Sequence, residues 1–212
     1  MMRIAISQRV EFIPGYGERR DCLDQQWPVL LETMGFDAVP VPNDLKHTLA
    51  WIERQGVSGL ILSGGNDLAD LPDALNPAPE RDATEQILLQ WASSRSMPVL
   101  GVCRGMQMMN LFLGGSLCTL EGHVASHHTL LVAEHDELFS HHGEVNSYHN
   151  RGMMAGDLAD ELQLRARADG DNSVEAVSHK SLPWVGIMWH PERELPFHNS
   201  DITLIDTVFR SA

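Results

Sequence analysis

Through the first half of the chain, apolar runs of four to six residues alternate with helix-period segments, the order expected of parallel βαβ units. Residues 4–7 open as a short strand. Leu23, Trp27, Leu30, Leu31 and Met34 then fall at helical spacing, and Gly35 stands where a left-handed cap would close the helix. A second strand is predicted over 36–41. Leu45, Leu49 and Ile52 mark another amphipathic helix that ends near Gly56, followed by a buried strand over 57–62. The spacing predicts a helix over 80–94 with Ile87, Leu88 and Trp91 inward, then a strand over 98–102 that delivers the chain to Cys103. From Gly114 the pattern changes. Runs over 129–133, 162–166, 173–177 and 184–189 read as strands with little helix between them, so an antiparallel section should flank the parallel sheet. A closing helix over 200–210 carries Ile202, Ile205 and Phe209 on one face. Pro72, Pro77 and Pro79 punctuate a long loop of the kind that borders functional clefts. The fold class expected is α/β, a parallel-core sheet flanked by helices.

Composition narrows this picture. With 212 residues and 43% hydrophobic content, the chain can bury one sizeable core, and a single domain over 1–212 is expected. No window approaches the roughly 20 apolar residues of a membrane span. The N-terminus reaches a second arginine, Arg9, before an apolar stretch can develop, which is not the pattern of a secretory signal. Cys22, Cys103 and Cys118 are odd in number and irregular in spacing, which argues against a disulfide framework and for a reducing cytoplasm. Fifteen Lys and Arg stand against 29 Asp and Glu, a formal charge of −14, so a nucleic-acid backbone would be repelled.

The candidate chemistry begins at Gly101-Val102-Cys103-Arg104-Gly105-Met106-Gln107, a buried strand running into Gly-x-Cys-x-Gly and then a helix. Glycines two residues either side of the cysteine let the chain turn sharply from strand to helix, placing a thiol at a helix N-terminus, where free amides favour a thiolate. A thiolate nucleophile needs a base, and the base needs a group to hold its ring. The strand ending in His190-Pro191-Glu192 offers both, because residues two apart in an extended chain face the same side. Leu60-Ile61-Leu62-Ser63-Gly64-Gly65 ends another buried strand in a glycine pair whose amides can face a developing negative charge.

Gly-x-Cys-x-Gly-x-Gln followed 87 positions later by His-Pro-Glu (190 − 103 = 87) resembles the class I glutamine amidotransferase family. That resemblance spans nearly the whole chain. It implies a flavodoxin-like fold and cleavage of a γ-glutamyl amide by Cys103, with His190 as base and Glu192 orienting it. It further implies an oxyanion hole from the amides of Gly65 and Arg104, and Gln107 near the amino-acid end of the substrate. Asn146-Ser147-Tyr148-His149 is similar to the family segment that holds the glutamyl α-carboxylate and amine, which makes Ser147, Tyr148 and His149 binding candidates.

The stretches 7–10 and 18–27, rich in polar residues where a first βα loop usually opens toward the cleft, together with 62–68 resemble a free-standing hydrolase branch of the family. Some members of that branch act on γ-glutamyl-CDP-amidate; for such a substrate Arg9, Arg19 and Arg20 would meet the diphosphate, since guanidinium forks suit phosphate oxygens. Hydrolysis of γ-glutamyl-γ-aminobutyrate, and a glutaminase subunit feeding ammonia to a separate synthetase chain, are the alternatives. The partners implied are a small γ-glutamyl substrate and either a second copy or a synthetase, with no nucleic acid and no membrane. Eleven histidines, many between His123 and His149, invite a metal reading. His127-His128 and His141-His142 are merely adjacent, however, and no His-Glu-x-x-His spacing occurs, so neither a metal nor another cofactor is expected.

Overall fold

The computed structural model describes residues 2–133 and 135–210. The first half runs β1 (Met2–Ser7), β2 (Arg9–Ile13), β3 (Glu18–Cys22), α1 (Gln26–Thr33), β4 (Phe36–Val41), α2 (Thr48–Gln55), β5 (Gly59–Leu62), α3 (Pro79–Ser94), β6 (Val99–Val102) and α4 (Arg104–Phe112). The second half runs β7 (Cys118–Thr119), β8 (Val124–Val132), β9 (Glu144–Tyr148), β10 (Arg151–Gly152), β11 (Leu162–Ala168), β12 (Val174–His179), β13 (Trp184–Ile187) and α5 (Asn199–Arg210).

Nine strands form one mixed sheet in the order β4-β1-β5-β6-β13-β12-β11-β8-β9. The first five pair in parallel and the remainder antiparallel. Every residue of β5 and β6 is buried, as expected of parallel strands covered on both faces. The pleat then sorts their side chains. Ile61 and Leu100 meet Trp27, Leu30 and Leu31 of α1 and Ile205 and Phe209 of α5. Leu60, Leu62 and Val99 turn the other way, onto Ile52 of α2, Leu88 and Leu89 of α3 and Met108 and Met109 of α4. The parallel core flanked by helices, with an antiparallel C-terminal section, is thus the architecture the sequence predicts.

Four local expectations are corrected. The polar N-terminal stretch is no open loop but the β2–β3 hairpin, with Glu11 opposite Arg20 and Phe12 opposite Arg19. β9 arises where only a binding segment was expected, paired along β8, which itself starts five residues earlier than its apolar core because half-exposed polar residues fill the extension. β13 is shorter than 184–189 and, besides opening the antiparallel section with β12, pairs in parallel with β6, so it joins the two halves of the sheet. Ile87 is 41% exposed, because α3 turns the face of Leu88, Trp91 and Ala92 to the sheet. Among the described residues, no helix is long and apolar enough to cross a membrane.

Candidate active site

The parallel pairing of β6 with β13 brings the two sequence motifs together. Val102 lies opposite Ile187, and the Cys103 amide donates to the Ile187 carbonyl at 2.7 Å, so Cys103 and His190 leave adjacent strand ends on the same edge of the sheet. Cys103 has φ 51° and ψ −107°, a conformation L-residues rarely adopt, and it caps α4. The strain falls on the cysteine, not on its flanking glycines, neither of which has positive φ. Those glycines are required by close approach. A Cβ on Gly105 would sit 2.1 Å from the Leu62 carbonyl oxygen, and one on Gly101 would sit 2.4 Å from Met109 Sδ. Only hydrogen at these positions lets α4 lie against β5 and β6 closely enough to hold the elbow.

His190 and Glu192 are both buried, with His190 Nδ1 2.7 Å from Glu192 Oε1. Burial works against a charged His190, but negative charge on Cys103 and Glu192 outweighs it and raises the His190 pKa to about 9. Asn146 fixes the backbone beneath this ring: its amide donates to the His190 carbonyl at 2.9 Å and accepts from the His190 amide at 2.9 Å. Gly64 leaves room for the ring, since a Cβ there would meet His190 Cε1 at 2.5 Å.

The turn after β5 is oriented by a residue that the sequence pattern does not single out. Arg81, in the first turns of α3, is fully buried and donates to the carbonyls of Ser63 at 2.6 Å and Gly64 at 3.0 Å, and also to that of Gly65. In a trans peptide the N–H points opposite to its C=O. With the Gly64 carbonyl held on Arg81, the Gly65 N–H points away from the guanidinium and toward the cleft that Gly65 and Cys103 line. Arg81 is paired at 2.9 Å with buried Glu85, which also receives the Arg104 side chain and the Ser7 hydroxyl at 2.7 Å. Burial, reinforced by the neighbouring Arg104 and opposed by Glu85, lowers Arg81 to about 10, still charged at neutral pH. Burial pushes the Glu85 carboxyl up, and the two arginines override it and hold it below its ordinary value. The Arg104 side chain therefore belongs to this buried network with Asp82 and Glu85, while its backbone amide is among the unpaired first N–H groups of α4.

Two clefts meet at this centre. One, about 160 Å³, is lined by Cys103, Gln107, Tyr148, His149 and the 65–67 turn, with Asn76 of the proline-punctuated loop at its border. Gln107 Nε2 donates to the Arg151 carbonyl at 2.9 Å, so the amide stays over this cleft. The other, about 280 Å³, lies on the far side of Gly65 and His190 and is walled by Trp27, Leu23 and the hairpin residues Arg9 and Glu11, with Arg193 opposite.

The sequence candidates divide accordingly. Cys103, His190, Glu192, Gly65, Arg104, Gln107, Tyr148 and His149 are brought together around one centre. Ser147 is not, because its buried hydroxyl turns inward and donates to the His123 carbonyl at 2.8 Å. Arg9 reaches the larger cleft, lies over Gly65 and is paired with Glu11, while its buried Nε has no partner. Arg20 shares the hairpin face of Arg9 but is paired with Glu18 at 2.7 Å, outside the lining. Arg19 faces the opposite side and is held by Glu80. Arg193 was not anticipated, although it directly follows His-Pro-Glu. Its guanidinium stacks 4.4 Å from the Tyr148 ring, whose edge meets His190.

Comparison with known proteins agrees with this geometry. Residues 6–192 match the family model described as Peptidase C26. The chain is 32% identical over 206 residues to the gamma-glutamyl-CDP-amidate hydrolase of Campylobacter jejuni, covering 95% of each chain. It superimposes on a glutamine amidotransferase from Thermotoga maritima with a TM-score of 0.67 at 17% identity, covering 99% of this chain and 84% of that one. It superimposes equally on the structure of PurLQS from Thermotoga maritima, with a TM-score of 0.70 at 19% identity, covering 99% and 98%. At these identities the two structural likenesses concern the fold alone.

Proposed function

The chain belongs to the peptidase C26 family of class I glutamine amidotransferase-like hydrolases, and from that premise we propose that it cleaves a γ-glutamyl amide through a glutamyl thioester on Cys103. The observation that carries this reading is the placement of a strained, helix-capping Cys103 and a buried His190, which Glu192 holds at 2.7 Å, at the ends of the paired strands β6 and β13. In the first step the Cys103 sulfur attacks the γ-carbonyl carbon, and the Gly65 and Arg104 amides receive the oxyanion. Collapse of that intermediate breaks the C–N bond, and the His190 imidazolium gives its proton to the leaving nitrogen. Water then attacks the thioester with His190 as base, releasing glutamate and restoring the thiol. The smaller cleft suits the glutamyl moiety, with Gln107, Tyr148 and His149 as its binding groups. The larger cleft begins at His190, the proton donor to the leaving group, and so suits the departing amine.

The leaving group we propose is cytidine diphosphoramidate, released from γ-glutamyl-CDP-amidate. The relative from Campylobacter jejuni is named for this hydrolysis and matches 95% of the chain. The larger cleft supports this reading, since Arg9 and Arg193 both line it, and Arg9, although paired with Glu11, keeps a buried Nε without a partner. Neither glutamine nor γ-glutamyl-γ-aminobutyrate offers a diphosphate to such groups. A charge-assisted hydrogen bond contributes about 1.5–3 kcal/mol. For Arg9→Ala we therefore expect kcat/KM for γ-glutamyl-CDP-amidate to fall by roughly tenfold to a hundredfold, with glutamine hydrolysis changed by less than about threefold. Steady-state kinetics on both substrates and on γ-glutamyl-γ-aminobutyrate would decide it. A wild type that prefers γ-glutamyl-γ-aminobutyrate and ignores the nucleotide would sink the diphosphate reading while leaving Cys103 and His190 in place.

A further inference from the structure

Behind the Tyr148–His149 wall of the smaller cleft lies a cluster of which the reaction above uses only His149, as part of that wall. Buried His123 stands at the start of β8, buried His149 just past β9, and buried Glu175 within β12. One ligand atom from each lies within 4.8 Å of the others. His149 Nε2 is 3.6 Å and His123 Nδ1 3.8 Å from Glu175 Oε1.

The outer partners of both rings fix where their protons are. His149 Nδ1 is 3.1 Å from the Arg151 carbonyl, which can only accept, so this nitrogen carries the hydrogen. His123 Nε2 is 2.9 Å from the Asp171 carboxylate and is likewise the protonated nitrogen. In the neutral rings, His149 Nε2 and His123 Nδ1 then present bare lone pairs to the carboxylate of Glu175. Two hydroxyls approach the cluster, Ser147 Oγ at 3.3 Å from His123 Nδ1 while it donates to the His123 carbonyl at 2.8 Å, and Ser173 donating to Glu175 Oε1 at 3.4 Å, and neither meets His149 Nε2. His149 Nε2 and Glu175 Oε2 have no hydrogen-bond partner, although their residues are 4% and 0% exposed. A buried imidazole lone pair turned on a buried carboxylate, with no donor for His149 Nε2, is costly unless a cation sits between them.

We propose that His123 Nδ1, His149 Nε2 and Glu175 bind one divalent transition-metal ion, zinc by the chemistry of the ligand set, which ties the ends of β8, β9 and β12 together behind the glutamyl cleft. Two imidazoles and a carboxylate are a recurrent zinc set, and tetrahedral bonds of roughly 2.0–2.2 Å place ligand atoms about 3.3–3.6 Å apart. The measured separations to Glu175 Oε1 are close to that edge. The Asp171 carboxylate on His123 and the Arg151 carbonyl on His149 are the outer-shell groups that orient metal-binding imidazoles. His128 Nε2 lies 3.1 Å from the other carboxylate oxygen, Glu175 Oε2, without hydrogen-bond geometry. No local spacing reveals the set, because its members come from three strands.

The test is elemental analysis of tag-free protein exposed to zinc and then desalted. About one equivalent per chain is expected in the wild type, in Cys103→Ala and in the exposed control His127→Ala, falling at least about tenfold in His123→Ala and Glu175→Gln. Because those two variants could fail to fold, chelator-stripped wild type provides a second readout. Added zinc should raise its melting temperature, and added cobalt(II) should give tetrahedral d–d absorption that saturates near about one equivalent without a thiolate charge-transfer band. Wild type that retains no zinc and does not respond to it would overturn the site. So would full zinc content in both variants, or a thiolate band, which would move the metal to Cys22 or Cys118.

Discussion

Cys103→Ala is expected to lower kcat for γ-glutamyl amide hydrolysis by at least about 10⁴-fold while leaving the melting temperature within a few degrees of wild type. The size of the loss follows from what the side chain does in the proposed mechanism. Without a nucleophile no thioester forms, and the remaining oxyanion donors and binding groups support only a residual rate over water. The small stability effect follows from position. Cys103 is an elbow residue at the sheet edge that joins the core on one side and borders a cleft on the other, and the substitution removes only one sulfur. Alanine also inherits the φ of 51°, so strain is unchanged to first order. Kinetics and thermal melts on the same preparation check both halves. A variant that keeps more than a hundredth of wild-type turnover would move the chemistry to another residue.

His190→Gln is expected to approach that loss, whereas Glu192→Gln should retain substantially more activity and change its pH dependence. His190 moves the proton in both half-reactions; Glu192 acts through it, holding Nδ1 at 2.7 Å. The sign of the pH effect comes from the raised His190 pKa of about 9. The imidazolium is present below that value and lost as pH rises through it, so the alkaline limb of kcat/KM should fall near pH 9 in the wild type. Replacing Glu192 by neutral glutamine removes one of the charges that raise His190, and the alkaline limb should move to lower pH. The same linkage applies to folding. The raised pKa contributes stability that is complete below the ordinary value of 6.5 and lost as pH rises through about 9. A pH–rate profile of Glu192→Gln with an unmoved alkaline limb would mean that its carboxylate does not act on His190.

The sequence exposes those parts of the site that are written locally. Gly101-Val102-Cys103-Arg104-Gly105 and His190-Pro191-Glu192 are contiguous, and their meeting requires only that β6 and β13 be neighbours in the sheet. The apolar runs that become β5 and β6 are equally legible, because central parallel strands are buried on both faces. What stays hidden depends on tertiary context. Arg81 and Glu85 read as an ordinary i,i+4 pair on a polar helix face, yet both are fully buried because the 63–65 turn needs its carbonyls satisfied from below. Asn146 reads as a loop residue, and only the packing of β9 against the His190 segment gives it two partners there. The hairpin was missed although Pro14-Gly15-Tyr16-Gly17 supplies a turn and Val10 and Phe12 alternate with charges on its first strand. The charges of 18–21 hide the second strand, and of its arginines register turns Arg19 away while Glu18 holds Arg20.

The central claim, a glutamyl thioester on Cys103, is tested most directly by rapid acid quench of the enzyme during turnover of a γ-glutamyl amide, followed by proteolysis and peptide mass spectrometry. The account predicts a peptide containing Cys103 that is heavier by one glutamyl group, absent from Cys103→Ala and discharged by hydroxylamine, with more of it accumulating in Glu192→Gln if deacylation slows. An adduct on Cys22 or Cys118, or steady turnover with no acylated peptide even when a slow substrate is used, would contradict it.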